Sequence, residues 1–174
     1  MQKSKLDRFI QKYNLGGNVN SVKWKSSGDS ISTSFVTPDK SLLGRVKVDK
    51  FSFDTAELGI YQTDQLKSLI GVLGDDISLD LTSVGDRTVS LNVKNGAISI
   101  DYVLSDLSVI PDPPQMKRLP EFGTKIKLDT KFINTFIKGK SALSDIDTFT
   151  ILNGKSGVEV VIGYSSTNTN RVNI

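Results

Sequence analysis

The strongest constraint on the fold of this chain is a phrase that it nearly repeats. Lys5-Leu6-Asp7-Arg8-Phe9-Ile10 returns, with one residue inserted, as Lys127-Leu128-Asp129-Thr130-Lys131-Phe132-Ile133, 122 residues later. Both copies lie at the start of an amphipathic helix with basic residues on its polar face. That spacing is the length of an ordinary domain, so duplication of a domain is its simplest source. Only 47 residues follow Lys127, which is short for a second copy. One complete domain and a partial second one are therefore expected, with about fifty residues of a longer parent lying beyond Ile174.

The surroundings of each copy supply the elements. Leu6, Phe9, Ile10 and Tyr13 recur at i, i+3, i+4 and i+7, which predicts a helix from Ser4 to Tyr13 stopped by Gly16-Gly17. The period then changes to two. Val22 and Trp24, then Ile31, Thr33 and Phe35, alternate as half-buried strands do, with Gly28-Asp29 between them as a turn. Val46 and Val48, then Phe51 and Phe53, alternate with a change of phase near Asp49-Lys50 that reads as a bulge. A second helix is predicted from Asp64 to Leu73, with Thr63 as its N-cap and Gly74 as its stop. Strands follow at Ile77 to Leu81, Val89 to Val93 and Ile98 to Val103, the last two joined by Asn95-Gly96, a strong hairpin signal.

Four of the five prolines fall between Pro111 and Pro120, a stretch too stiff and donor-poor for a central strand or helix. It divides the chain into a first domain over 1–106, a connector over 107–123 and a partial second domain over 124–174. In the last of these the order restarts, with a strand at Lys125 to Leu128, a helix from Thr130 to Ser141 and strands at Phe149 to Leu152 and Val158 to Gly163. Asn153-Gly154 marks their hairpin, and the polar run Ser165 to Asn170 reads as a further hairpin loop.

Composition narrows the function. Cysteine and histidine are both absent, which removes thiol nucleophiles, disulfides, the usual zinc sites and the commonest general base. The aspartates at 75, 76, 145 and 147 fit turns better than a metal cluster. Leu15-Gly16-Gly17 lacks the spacing of a phosphate-cradling loop. No catalytic residue, metal or cofactor is assigned, and the chain reads as a non-enzyme. No apolar run reaches the eighteen or so residues of a membrane span, and the charged start Met1 to Lys5 is no signal core. A cytoplasmic setting is expected, the host cytoplasm if the source is viral.

The formal net charge is only +3, but its distribution is uneven. Residues 1–16 carry Lys3, Lys5, Arg8 and Lys12 against Asp7, and residues 130–141 carry Lys131, Lys138 and Lys140 without an acid. The remaining residues hold 15 bases and 18 acids. Lys5, Arg8 and Lys12 stand off the apolar stripe of the first helix, and Lys131 and Lys138 stand seven apart on the polar side of the third. Such stripes attract a polyanion without reading its sequence. The second helix offers only Lys67 against Asp64.

With these features in place, the chain resembles a DNA polymerase sliding clamp of T-even-like tailed bacteriophages along essentially its whole length. The resemblance is carried by Phe53-Asp54-Thr55-Ala56-Glu57-Leu58-Gly59-Ile60-Tyr61 leading into Leu66 to Asp76, and by Phe136 to Leu143 followed by Ile146-Asp147-Thr148. It implies an α+β clamp fold of antiparallel sheets with helices on one concave face. It also implies a homotrimeric ring in the full-length parent, whose closure a chain ending at Ile174 does not secure. Duplex DNA would be bound without sequence preference, with a DNA polymerase and a clamp loader as protein partners. Lys5, Arg8, Lys12, Lys67, Lys131, Lys138 and Lys140 would then face the DNA, and Ile110 and Leu119 are the candidates for contact with partner peptides. Two other readings compete: a virion structural or assembly β-protein, and a DNA-binding module that does not encircle its target.

Overall fold

A computed structural model describes the chain except for Met116, Lys117, Leu119, Pro120, Lys155, Ser156 and Asn168. It divides into two compact units, Met1–Met116 and Lys117–Ile174. The first contains helix α1 (Lys3–Asn14), strands β1 (Val22–Val36) and β2 (Leu43–Ile60), helix α2 (Thr63–Gly71) and strands β3 (Ser78–Val84), β4 (Arg87–Asn95) and β5 (Ile98–Val103). The second contains helix α3 (Thr130–Ala142) and strands β6 (Phe149–Gly154), β7 (Gly157–Ile162) and β8 (Val172–Asn173). All strand pairs are antiparallel.

In the first unit β1 and β2 form a long hairpin, and β3, β4 and β5 form a three-stranded sheet in that order. The turn expected at Gly28-Asp29 does not exist; β1 runs straight through it. Its buried positions shift there from Val22, Trp24 and Ser26 to Ile31, Thr33 and Phe35. The change of face is produced by register shifts on either side of Gly28, whose φ of 86° is open to glycine at little cost. On β2 the bulge anticipated near Asp49-Lys50 is present, with Lys50 at φ 57° and the pairing jumping from Gly28↔Phe53 to Ser30↔Asp49. Sequence reasoning misread the first irregularity because a tight turn and a bulge ask for the same backbone freedom.

The core of this unit is shared by both helices and both sheets. Leu6, Phe9, Ile10 and Tyr13 of α1 are fully buried, as are Leu66 and Ile70 of α2 and Leu91 and Val93 of β4. Phe9 stands edge-on to Trp24 at 5.3 Å and to Tyr13 at 5.5 Å between ring centroids. The start of the chain is tied in as well: Lys3 N donates to Asp75 O at 2.7 Å and Ile77 N to Met1 O at 2.9 Å. Helix α1 ends where expected, since Leu15, Gly16 and Gly17 all have positive φ. Helix α2 starts one residue early. Gln62 is its N-cap and Thr63 is its first residue, because the Thr63 hydroxyl is drawn away to donate to Asn20 O at 2.8 Å.

The end of the first domain, and part of the proline-rich connector after it, are fastened to this unit. Ser105 N donates to Gly59 O at 2.9 Å, Arg87 pairs with Asp106, and Lys23 pairs with Asp112 at 2.9 Å. Ile110 is only 2% exposed. A Cβ on Gly59 would lie 2.3 Å from Ser105 O, so glycine is what permits this close approach.

In the second unit α3 lies against a sheet ordered β6-β7-β8. Asp129 caps the helix by accepting from Phe132 N at 2.8 Å, which also places a carboxylate at the positive end of the helix dipole. The strand expected at Lys125 to Leu128 is absent; among the described residues no strand pairs with it. The two copies of the repeated phrase are therefore equivalent only in part. Lys5, Leu6 and Asp7 lie within α1, whereas Lys127 and Leu128 precede α3 and Asp129 is its cap.

Candidate nucleic-acid interface

Helix α1 positions the first group of cations. Its apolar face is held down by Leu6, Phe9, Ile10 and Tyr13, which leaves Arg8 and Lys12 exposed and Lys5 half-buried. Lys5 and Lys12 are seven residues apart, about 10 Å along the axis and nearly on one line, with Arg8 between them. Lys5 Nζ donates to Lys50 O at 2.7 Å, which anchors that side chain and brings the exposed Lys50 backbone beside the stripe. Sequence reasoning passed over Lys50; the phase change at the β2 bulge was the only sign, and it gave no hint of which helix lay nearby. Among the described residues Arg8 and Lys12 have neither a hydrogen-bond nor an ion-pair partner.

The orientation of α1 is set by a directed chain of hydrogen bonds in the interior. Trp24 Nε1 donates to the Tyr13 hydroxyl at 3.1 Å, and Tyr13 and Thr63 Oγ1 are 3.2 Å apart. The single Thr63 hydroxyl proton is directed at Asn20 O, 2.8 Å away. Tyr13 must then be the donor to Thr63, and one proton order satisfies all four groups. Burial pushes the Tyr13 hydroxyl well above the ordinary tyrosine range, against the opposing pull of its bonds to Thr63 and Trp24. Burial also raises Tyr102, which accepts from Gln62 N at 3.1 Å at the start of α2.

Lys67 behaves differently from the α1 cations. Its Nζ donates to Asn14 Oδ1 at 3.2 Å, while Asn14 Nδ2 donates to Asp64 Oδ1 at 3.2 Å and Asn20 Nδ2 to Asp64 Oδ2 at 2.7 Å. The charges of Lys67 and Asp64 thus meet in one polar cluster that joins the end of α1 to the start of α2. Lys67 is a structural lysine in this arrangement, with less freedom to meet an outside anion.

On the second unit Lys131 and Lys138 are exposed on one side of α3 and have no partner among the described residues. Lys140 lies about half a turn round from Lys131, on the side of Phe136, and its Nζ donates to Ser144 O at 2.9 Å. It closes its own helix end and does not extend the stripe. Ile110 packs into the first unit and offers no surface to a partner peptide; Leu119 lies outside the described residues. No group of three or more possible metal ligands occurs among the described residues, and no described helix is long and apolar enough to cross a membrane. Asp39 and Asp106 are held low by neighbouring donors, Asp39 at about 2 chiefly by the Thr37 hydroxyl and Asp106 chiefly by Ser108 N–H.

These features sit on a fold found in DNA clamps. The PCNA2-PCNA3 complex of Sulfolobus tokodaii matches over 100% of this chain and 71% of its own, with a TM-score of 0.64 and 8% identity. Caulobacter crescentus pol III beta matches over 92% of this chain with a TM-score of 0.59 and 13% identity. A DNA polymerase sliding clamp from the same organism gives 0.57 and 14%. The chain spans 46% of the length of each Caulobacter protein. No family model and no curated protein matches the sequence. At such identities the likeness establishes the sliding-clamp fold, with antiparallel sheets and few helices.

Proposed function

We propose that this chain is a subunit of a DNA sliding clamp, a processivity factor that encircles duplex DNA and tethers a replicative polymerase without catalysis of its own. One observation carries the reading: a clamp fold whose α1 presents Arg8 and Lys12 unengaged beside Lys5. Lys131 and Lys138 supply the matching pair on the second unit, while Lys67 and Lys140 contribute less because their ammonium groups are already bonded. Lysine and arginine contacts to phosphate release counterions, carry no base information and permit movement along the duplex. The most specific form of the proposal is a homotrimeric ring of a T-even-like phage, placed on DNA by a clamp loader. Sedimentation of the assembled ring distinguishes that stoichiometry from others.

Encirclement has a signature that one-sided binding lacks. Protein loaded on nicked circular DNA should survive a high-salt wash and be released when the circle is cut, because a ring slides off an end. Equal release from circular and linear DNA at each salt concentration would refute encirclement and favour a module that touches DNA from one side. Loss of processive primer extension with the cognate polymerase when Arg8 and Lys12 are both reversed to glutamate would tie the α1 stripe to the activity.

A further inference from the structure

Lys50 stands where the ladder between β1 and β2 is interrupted. On β2 the exposed positions alternate through Arg45, Lys47 and Asp49, while Val46 and Val48 pack against the core. Unbroken alternation would put residue 50 on that inner side. The pairing instead jumps from Ser30↔Asp49 to Gly28↔Phe53. Lys50 has φ 57°, a left-handed conformation that costs any residue with a Cβ and that glycine adopts freely. The phase changes with it, so that Phe51 and Phe53 are buried and Lys50 is turned outward. Glycine would serve the bulge at less cost, and strain of this kind points to a role for the side chain that it presents.

We propose that Lys50 is a phosphate contact and that Lys5 positions it, so that the cationic stripe of α1 continues onto β2, a role that presupposes the DNA reading above. Two observations carry it besides the strain. Lys5 Nζ donates to Lys50 O at 2.7 Å, which sets the Lys50 backbone at the end of the line formed by Lys12, Arg8 and Lys5. That bond takes one of the three ammonium protons of Lys5, and two remain to meet the same polyanion. The second observation is charge. Lys47 and Asp49, the exposed groups just before Lys50, pair with each other at 2.7 Å. Lys50 Nζ has neither a hydrogen-bond nor an ion-pair partner among the described residues. Four cations thus follow one another from helix to strand, and the nearby carboxylate of Asp49 is already met. A phosphate backbone engages such a row through counterion release, without base contacts.

Anisotropy of a fluorescein-labelled DNA duplex, titrated with the whole chain at several salt concentrations, tests this. Lys50→Gly removes the ammonium and keeps the backbone conformation, so the slope of log affinity against log salt should fall by about 1 while Tm does not fall. Lys50→Arg should keep the slope. Lys40→Gly is the control, since Lys40 is also exposed at φ 60° but lies in the turn that joins β1 to β2; its slope should not change. Lys5→Met should lower the slope as well, and in that background Lys50→Gly should remove less than in the parent chain, because Lys50 is no longer held. The Phe51 amide shares a peptide plane with Lys50 O, so its NMR resonance should shift in Lys5→Met and on addition of the duplex. An unchanged slope for Lys50→Gly beside a reduced one for Arg8→Ala overturns the extension onto β2 and leaves the DNA reading standing. Unchanged slopes for Lys50→Gly, Arg8→Ala and Lys12→Ala together overturn both. An equal loss with Lys40→Gly shows a response to net charge and refutes a contact at Lys50, and an undiminished effect of Lys50→Gly in Lys5→Met refutes the positioning role of Lys5.

Discussion

Replacing Tyr13 by phenylalanine tests whether the interior hydrogen-bond chain, and not apolar packing alone, fixes α1 against β1 and α2. The ring contacts to Phe9 and Trp24 survive the change, so almost no apolar area is lost. What goes is the bridge between Trp24 Nε1 and Thr63 Oγ1. Trp24 is 1% exposed, so its N–H is left buried without an acceptor, at a cost of about 1–3 kcal/mol. For a unit of this size that corresponds to a fall in Tm of roughly 4–12 °C. Trp24 is the sole tryptophan and lies in the first unit, so its fluorescence follows urea unfolding of that unit alone. The midpoint should fall while the slope stays constant. The pH dependence supplies an independent check. Tyr13 and Tyr102 are both raised in the folded state, so above about pH 10 the unfolded chain gives up these protons first and stability declines. The variant should show a shallower decline, because only Tyr102 still contributes. A destabilisation below about 0.5 kcal/mol, with no change in the alkaline limb, would refute the hydrogen-bond account.

Other outcomes follow from the same geometry. Arg8→Ala and Lys12→Ala should each reduce the slope of log affinity against log salt for duplex DNA by about 1, measured by fluorescence anisotropy. Lys67→Ala should reduce that slope by less, because its ammonium is held by Asn14; an equal effect would show that the cluster opens on DNA. Gly59→Ala forces a methyl group against Ser105 O and should cost about 1–3 kcal/mol through overpacking. Hydrogen exchange should also accelerate at the Ser105 amide, which donates to Gly59 O. Asp129→Ala removes the cap of α3 and should destabilise that helix by about 1 kcal/mol, followed by circular dichroism.

Much of the fold was legible because local pattern and tertiary role agreed. The three helices fall within about two residues of their expected limits, since each buries a stripe that recurs with the helical period. Gly96, at φ 56°, turns the chain between β4 and β5 where Asn95-Gly96 announced a hairpin. The failures share a cause. Gly28 supplies positive φ equally well to a turn or to a bulge, and only the pairing of β1 with a strand some twenty to forty residues away selects the bulge. Lys125 to Leu128 alternate like a strand but find none to pair with among the described residues. Thr63 looks like a cap until its hydroxyl proves to be committed to Asn20, 43 residues earlier.

The candidate site divides along the same line. By itself the sequence determined where the charges fall: two helices with apolar faces must turn Arg8, Lys12, Lys131 and Lys138 outward, because a helix that buries one stripe exposes its opposite. It also determined that histidine and cysteine chemistry has no part here. Which of the remaining cations are free was decided only by the tertiary structure. Lys67 meets Asn14 from 53 residues away, Lys5 meets the carbonyl of Lys50 at a bulge, and Ile110 is drawn from the connector into a core. A side chain's charge is a property of its residue, but its availability depends on which distant backbone oxygen or amide comes within hydrogen-bonding reach, and local periodicity carries no record of that.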